Sequence, residues 1–285
     1  NQQSQHWEKN FSSKPEMFGL EQSLSAEKAL KLFKEKKIGK VLELGSGLGR
    51  DTIFFAKNLI RVTALDYSSS GIEIIKQKAL KQNLSKNIST NIFDIRKTLP
   101  FDDNSIEACF SHMLYCMALT SNELKNLNNE ICRVLKPNGI NIYTVRNTHD
   151  GDYKKGIHRG EDLFENDGFI VHFFSENKIK SLLSGFKNML IEEFDEGKFP
   201  RKLYLVVNGK ELTLSDATMA RYLKDEAPIE LNLKDLPIER RESGVVTYDD
   251  LINAMKFLAK ESAKTIDQVI IKKVIASRNI KFKRY

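Results

Sequence analysis

The stretch VLELGSGLGRDT at residues 41–52 constrains the fold most tightly, because an apolar run ends there in an acid and then in three alternating glycines. KVLELG reads as a short buried strand and DTIFFAKNL as the helix after it, so Gly45, Gly47 and Gly49 fall in the connecting turn. Glycine lets a backbone turn tightly and approach a ligand, and a helix N-terminus presents unpaired amides. A GxGxG turn alone says little. Its weight comes from the order strand, turn, helix, and from Asp66, which ends the next strand, VTALD, twenty-one residues after Gly45. From there a carboxylate can accept hydrogen bonds from both ribose hydroxyls of an adenosine-containing ligand. A dinucleotide would set its pyrophosphate over the turn, where Glu43 would bring negative charge toward negative charge. Glu43 instead suits a ligand with an ammonium group in that region. The plain structural alternative is that the glycines only allow strand and helix to pack closely.

The same alternation continues along the chain. A helix over roughly residues 69–83 precedes a strand at STNIFD; SIEACFSHM, the helix ELKNLNNEICRVL and the strand NIYTVR follow. Repeated strand and helix with short connections predict a parallel sheet covered on both faces. After Arg146 the segment NTHDGDYKKGIHRGEDLFENDG is polar and rich in turn formers, which predicts a long functional loop or lid over 147–168. ENKIKSLLSGF then reads as helix, and MLIEEFDEG and RKLYLVVNG read as strands. Three domains or segments result: 1–37, an N-terminal substrate cap with Trp7, Phe11, Phe18 and a helix over roughly 23–36; 38–209, the α/β domain; and 210–285, an appendage of three helices. Ser215, Thr247 and Thr265 are the N-caps expected there.

Composition removes other classes. With 41% hydrophobic and 29% charged residues the chain is globular rather than disordered. No window approaches eighteen consecutive apolar residues, and the opening NQQSQHWEKNF lacks a secretory pattern, so no membrane span and a cytoplasmic location are expected. Cys109, Cys116 and Cys132 are odd in number and widely spaced, which suggests neither a disulfide framework nor a metal site. The net charge of +7 gathers at the end: residues 240–285 hold eleven Lys and Arg against five Asp and Glu. That face either solvates a helical surface, captures an anionic partner, or flanks a homodimer contact.

Taken together, VLELGSGLGRD, ALDYS, NIFDI and FSHMLY resemble the nucleotide-binding half of class I methyltransferases that use S-adenosylmethionine. The resemblance is to the small-molecule type that includes tellurite-resistance-like and ubiquinone-biosynthesis-like enzymes, over residues 38–146 and more weakly to 209. It implies a Rossmann-like α/β fold with a mostly parallel seven-stranded sheet and an antiparallel last strand. It also implies site roles. Glu43 and the turn Gly45, Ser46, Gly47 and Gly49 would surround the methionine portion, Asp66 would bind the ribose, and Tyr67 would flank the adenine. Asp94 would approach the adenine amino group, Ile95 would pack on the ring, and Ser111, His112 and Met113 would line the pocket beneath the sulfonium.

Methyl transfer from a sulfonium needs orientation, exclusion of water and, for a protonated acceptor, placement of a proton. His112, Tyr115 and His149 are the candidates for catalysis. Trp7, Phe11, Phe18, Tyr115, Arg146, His149 and His158 are the candidates for binding the acceptor; a histidine at these points takes a proton, orients a polar group or simply packs. SHML after the fourth strand lacks the Asn-Pro-Pro-Tyr or Asp-Pro-Pro-Tyr pattern of many enzymes that methylate base amino groups. Neither Cys109 nor Cys116 follows a proline, unlike the nucleophile of cytosine carbon-5 methyltransferases. A small-molecule acceptor is therefore expected, with an RNA or protein substrate held by the basic C-terminal region, or a non-catalytic cofactor-binding regulator, as the alternatives.

Overall fold

The computed structural model describes residues 2–14, 17, 19, 21–197 and 201–210. Phe18 and the three helices expected beyond residue 210 lie outside the described residues. In chain order the elements are α1 (Gln2–Ser13), α2 (Leu24–Glu35), β1 (Lys40–Leu44), α3 (Arg50–Lys57), β2 (Arg61–Asp66), α4 (Ser69–Lys81), β3 (Ile88–Ile92) and β4 (Ile106–Ser111). There follow α5 (Ser121–Val134), β5 (Leu135–Arg146), β6 (Ile157–His158), β7 (Leu163–Asn166), β8 (Phe169–His172), α6 (Glu176–Ser181), β9 (Phe186–Glu196) and β10 (Arg201–Lys210).

Seven strands form one sheet in the order β3-β2-β1-β4-β5-β10-β9. β10 runs antiparallel to both neighbours, and every other pair is parallel. Successive residues of a strand point to opposite faces, so a sheet covered on both faces needs apolar residues at every position. β1 shows this: Val41 packs with Phe33, Phe55 and Phe110 on one face, while Leu42 and Leu44 pack with Tyr115, Leu127 and Tyr143 on the other. The helix starts follow local chemistry. Ser23 Oγ accepts Ala26 N at the start of α2, Ser68 Oγ accepts Gly71 N at α4, and Thr120 with Glu123 makes a reciprocal cap at α5. The order of strands reverses beside β1, and the carboxyl ends of β1, β2 and β4 open there, where ligands of such sheets bind.

The structure corrects two expectations and adds one helix. Residues 147–168 are not a plain loop: β6 and β7 lie within them and pair with β8 in a separate antiparallel sheet, β6-β7-β8. The N-terminal aromatic segment is helical, and α1 packs on α4 and β8. The helix expected over 176–186 is also shorter, because the chain turns through Gly185 at φ +74° into β9. Among the described residues no helix is long and apolar enough to cross a membrane.

Candidate functional site

The glycine turn hangs from β2 by its main chain: Gly45 N and Ser46 N both donate to Leu65 O, at 2.8 and 3.1 Å. Gly45, Gly47 and Gly49 all have positive φ. At Gly49 the requirement is doubled, since a Cβ there would meet Ile75 Cγ1 at 2.4 Å and α3 starts directly behind. Asp66, 7% exposed, receives Gly47 N on one carboxylate oxygen (2.8 Å) and Ser68 N on the other (2.9 Å). Burial raises its pKa against the pull of these amides. Glu43, 3% exposed, accepts the Thr52 hydroxyl at 2.5 Å. Burial, then the charge of Asp51, lifts its pKa well above the ordinary carboxyl range.

The adenine side expected from sequence gathers at the same edge. Tyr67 is half-buried after β2, and Ile95 is buried after β3. Asp94 is already engaged: Arg96 binds both its oxygens, with Nη2 to Oδ2 at 2.6 Å, and this pairing lowers the Asp94 pKa. Ser111 ends β4 next to the turn. Its hydroxyl and that of Ser46 are buried, with no hydrogen-bond partner among the described residues.

A cover closes over this edge. Glu8 of α1 accepts Ser68 Oγ (2.6 Å), Ser69 Oγ (3.0 Å), Ser70 N (3.1 Å) and Ser70 Oγ (2.5 Å), and so caps the start of α4. Burial opposes its ionisation, but the serine hydrogen bonds outweigh it and lower its pKa. One turn on, Phe11 is buried, with Cζ 3.5 Å from where a Cβ of Gly47 would stand. Trp7 packs on Phe11 and Phe169, with ring centroids 5.4 and 4.8 Å apart, and His6 meets Phe169 edge-on at 4.3 Å. Gln3 donates to Gly168 O at 2.8 Å, which ties α1 to the β7–β8 turn.

The third group surrounds His112, just past β4. Its Nδ1 lies 2.9 Å from Ser25 Oγ and 3.0 Å from Thr144 Oγ1, and its Nε2 lies 3.2 Å from Glu196 Oε2. Ser25 Oγ is 2.8 Å from Ser23 Oγ, which donates to Asp51 Oδ2 at 2.8 Å. Burial lowers the His112 pKa, although Asp51 and Glu196 pull it up. Met113, half-buried at φ +60°, donates its amide to Thr144 Oγ1.

Other candidates stand apart from that group. Tyr115 is not a pocket wall: it is fully buried, stacked on Tyr143 at 4.1 Å, and its hydroxyl is satisfied by Asn128 and Asn141. Burial raises its pKa further, so it is a core residue. Arg146 is buried and spent on Asp150 and Asp152, with its guanidinium 5.2 Å over Phe173. It fastens the start of the 147–168 segment rather than facing a ligand. His149 is 60% exposed and pairs with Glu193. His158 is exposed, stacks on Phe164 and lies 2.8 Å from Glu161 O. Sequence reasoning missed Glu8, Ser23, Ser25, Asp51, Thr144 and Glu196. Ser23 as a helix cap and Asp51 in the first turn after the glycines were the available signals.

A glycine turn on β1, an acid ending β2 and this strand order define a class I S-adenosylmethionine-dependent methyltransferase fold. Comparison with known proteins agrees: residues 41–139 match the family model described as a methyltransferase domain. Over 100 residues it is 38% identical to phosphoethanolamine N-methyltransferase 1 of Triticum aestivum, covering 35% of this chain and 20% of the relative. It is 25% identical over 185 residues to the tRNA N(3)-cytidine methyltransferase METTL2 of Bos taurus, covering 61% and 47%. The chain thus spans less than half the length of either. In structure it resembles the 1,6-didemethyltoxoflavin-N1-methyltransferase of Burkholderia thailandensis, with a TM-score of 0.58 at 16% identity, covering 73% and 87%. The residues present fit the cofactor of this class. A buried acid ending β2 and two buried serine hydroxyls with no partner among the described residues, beside a turn of three positive-φ glycines, are groups that such a ligand would satisfy.

Proposed function

We propose that this chain transfers the methyl group of S-adenosylmethionine to a small-molecule acceptor, beneath the cover made by α1 and the β7–β8 turn. The observation that carries the reading is the cover itself: Phe11 lies on Gly47, and Glu8 caps α4 two residues beyond Asp66, so α1 covers the edge where the cofactor would bind. When bound, the cofactor supplies a methyl group already activated by its sulfonium. The chain's own residues do the rest. Asp66 accepts the ribose hydroxyls, Tyr67 and Ile95 flank the flat ring, and Glu43, whose pKa burial raises, supplies negative charge once the cofactor's own ammonium charge offsets that burial. Ser46 and Ser111 offer hydrogen bonds that no described residue takes. Trp7, Phe11 and Phe169 exclude water, which strengthens each polar contact inside. The wheat relative's name points to a small amino alcohol phosphate; the bovine relative's name favours the second reading, an RNA acceptor.

The test is to incubate the full chain with methyl-labelled S-adenosylmethionine and a cell extract, then separate small molecules, RNA and protein. Label in the small-molecule fraction is the expected result. Label confined to RNA would replace this reading with the second, and label in protein would reject both.

A further inference from the structure

The end of the sheet opposite the cofactor edge carries a surface that neither folding nor methyl transfer accounts for. α2, α3 and α4 cover one face of the sheet, with Phe33, Phe55 and Ile75 in a common core, so their carboxyl ends come out together. β1, β2 and β3 run parallel and begin there: Lys40 is in register with Arg61, and Asn87 O accepts Val62 N. Asn87 Nδ2 also reaches Ala56 O of α3, at 3.4 Å. Exposed cations therefore collect at this end: Lys36 and Lys37 after α2, Lys40 and Arg61 at the starts of β1 and β2, Lys81 ending α4, and Lys86 before β3. None takes part in an ion pair among the described residues. A cation in the last turn of a helix offsets its dipole, which serves for Lys81, but the other five lie beyond the helix ends. Against them stand Glu35 and Glu107, and Glu107 is held by the amides of Gly39 and Lys40 and by Lys136.

Two leucines stand at the same end. Leu59, in the turn between α3 and β2, is 84% exposed at φ +66°, and Leu80, in the last turn of α4, is 73% exposed. Leucine is neither a turn former nor at ease in the left-handed region, where glycine or asparagine would serve better, so folding gives no reason for Leu59. We propose that this end of the sheet docks on an anionic membrane surface, with the lysines over the phospholipid headgroups and Leu59 and Leu80 entering the acyl boundary. Cations and large apolar side chains on one face are the pattern of a protein that lies on a bilayer without crossing it. A crossing is not needed, and among the described residues no helix is long and apolar enough for one. A nucleic acid would engage the same cations, but it gains from aromatic rings and amides that meet bases rather than from leucine. A second copy would set like charge against like charge, and residues 240–285, with eleven Lys and Arg against five Asp and Glu, carry the same sign. The five residues of β1, about 15 Å, separate this end from Gly45, so the docked chain keeps its cofactor edge turned to water.

Sedimentation of the full chain with lipid vesicles is the test. Binding is expected to vesicles of phosphatidylcholine with about a quarter phosphatidylserine, falling as salt rises, and not to vesicles of phosphatidylcholine alone. Leu59→Ser combined with Leu80→Ser should weaken it roughly tenfold or more, and Lys36→Glu combined with Lys86→Glu should do the same. All four side chains are exposed, so neither exchange empties the core, and circular dichroism checks that both variants fold. No binding by the parent chain, or equal binding to neutral vesicles, would overturn the proposal. So would a leucine variant that binds like the parent, since the attraction would then be one of charge alone. A charge variant that binds like the parent would move the contact to another part of the chain, residues 211–285 included, and overturn it equally. Polyuridylate is the last arm: tighter binding to it than to the anionic vesicles, undiminished by the leucine exchange, would put RNA in place of the membrane.

Discussion

The two halves of the sheet's carboxyl edge are built from different material. On the β1–β2 side the main-chain amides of Gly47 and Ser68 hold Asp66, and everything comes from residues 43–68. On the β4 side the imidazole of His112 is held by side chains from α2, β5 and β9, and through them from α3. A site made of backbone tolerates most side-chain changes and fails where a Cβ cannot fit. A site made of side chains is sensitive to each partner and to their protons.

The sharpest way to break the first half is Gly49→Val. A β-branched residue at φ +76° that must also displace Ile75 should cost roughly 2–5 kcal/mol of stability, read from urea unfolding. An unchanged midpoint would mean that the turn is looser than its geometry. The cover joins the halves, and Phe11→Ala probes it. Loss of the ring over Gly47 should weaken cofactor binding about tenfold, the equivalent of about 1.4 kcal/mol. Trp7, the single tryptophan of the chain, gives a fluorescence signal for that binding. Equal affinity would show that α1 lies over the site without contributing to it.

Glu43→Gln gives the smallest and most specific effect. The folded chain holds the Glu43 proton more tightly than the unfolded chain does, so its contribution is full below about pH 4.5 and is lost as pH rises through the folded value. The variant should therefore lose less stability than the parent between about pH 4.5 and neutrality. Parallel curves would contradict the burial of that charge.

The first half was legible because its signals are local. Strands buried on both faces read as continuous apolar runs, and the spacing from Gly45 to Asp66 is set by one helix and one strand. The second half was not. Ser25 and His112 are 87 residues apart, and nothing in either segment announces the other. Tyr115 misled by adjacency: the chain turns through positive φ at Met113, and three residues beyond His112 the side chain is already in the core beneath the sheet. α1 was unread because QQSQHWEKNFSS has little apolar content, and its contacts through Gln3, Trp7 and Glu8 are tertiary. β6 and β7 were hidden among turn formers, with apolar residues too few to show a strand period.

The central claim is that the glycine turn and Asp66 hold S-adenosylmethionine. Calorimetric titration of the full chain and of Asp66→Ala, with circular dichroism to confirm equal folding, tests it most directly. The account predicts one site in the parent chain and a loss of roughly tenfold to a hundredfold in the variant, the scale of removing hydrogen bonds to a charged group. Equal affinity in the two chains, or no binding by the parent, would contradict it.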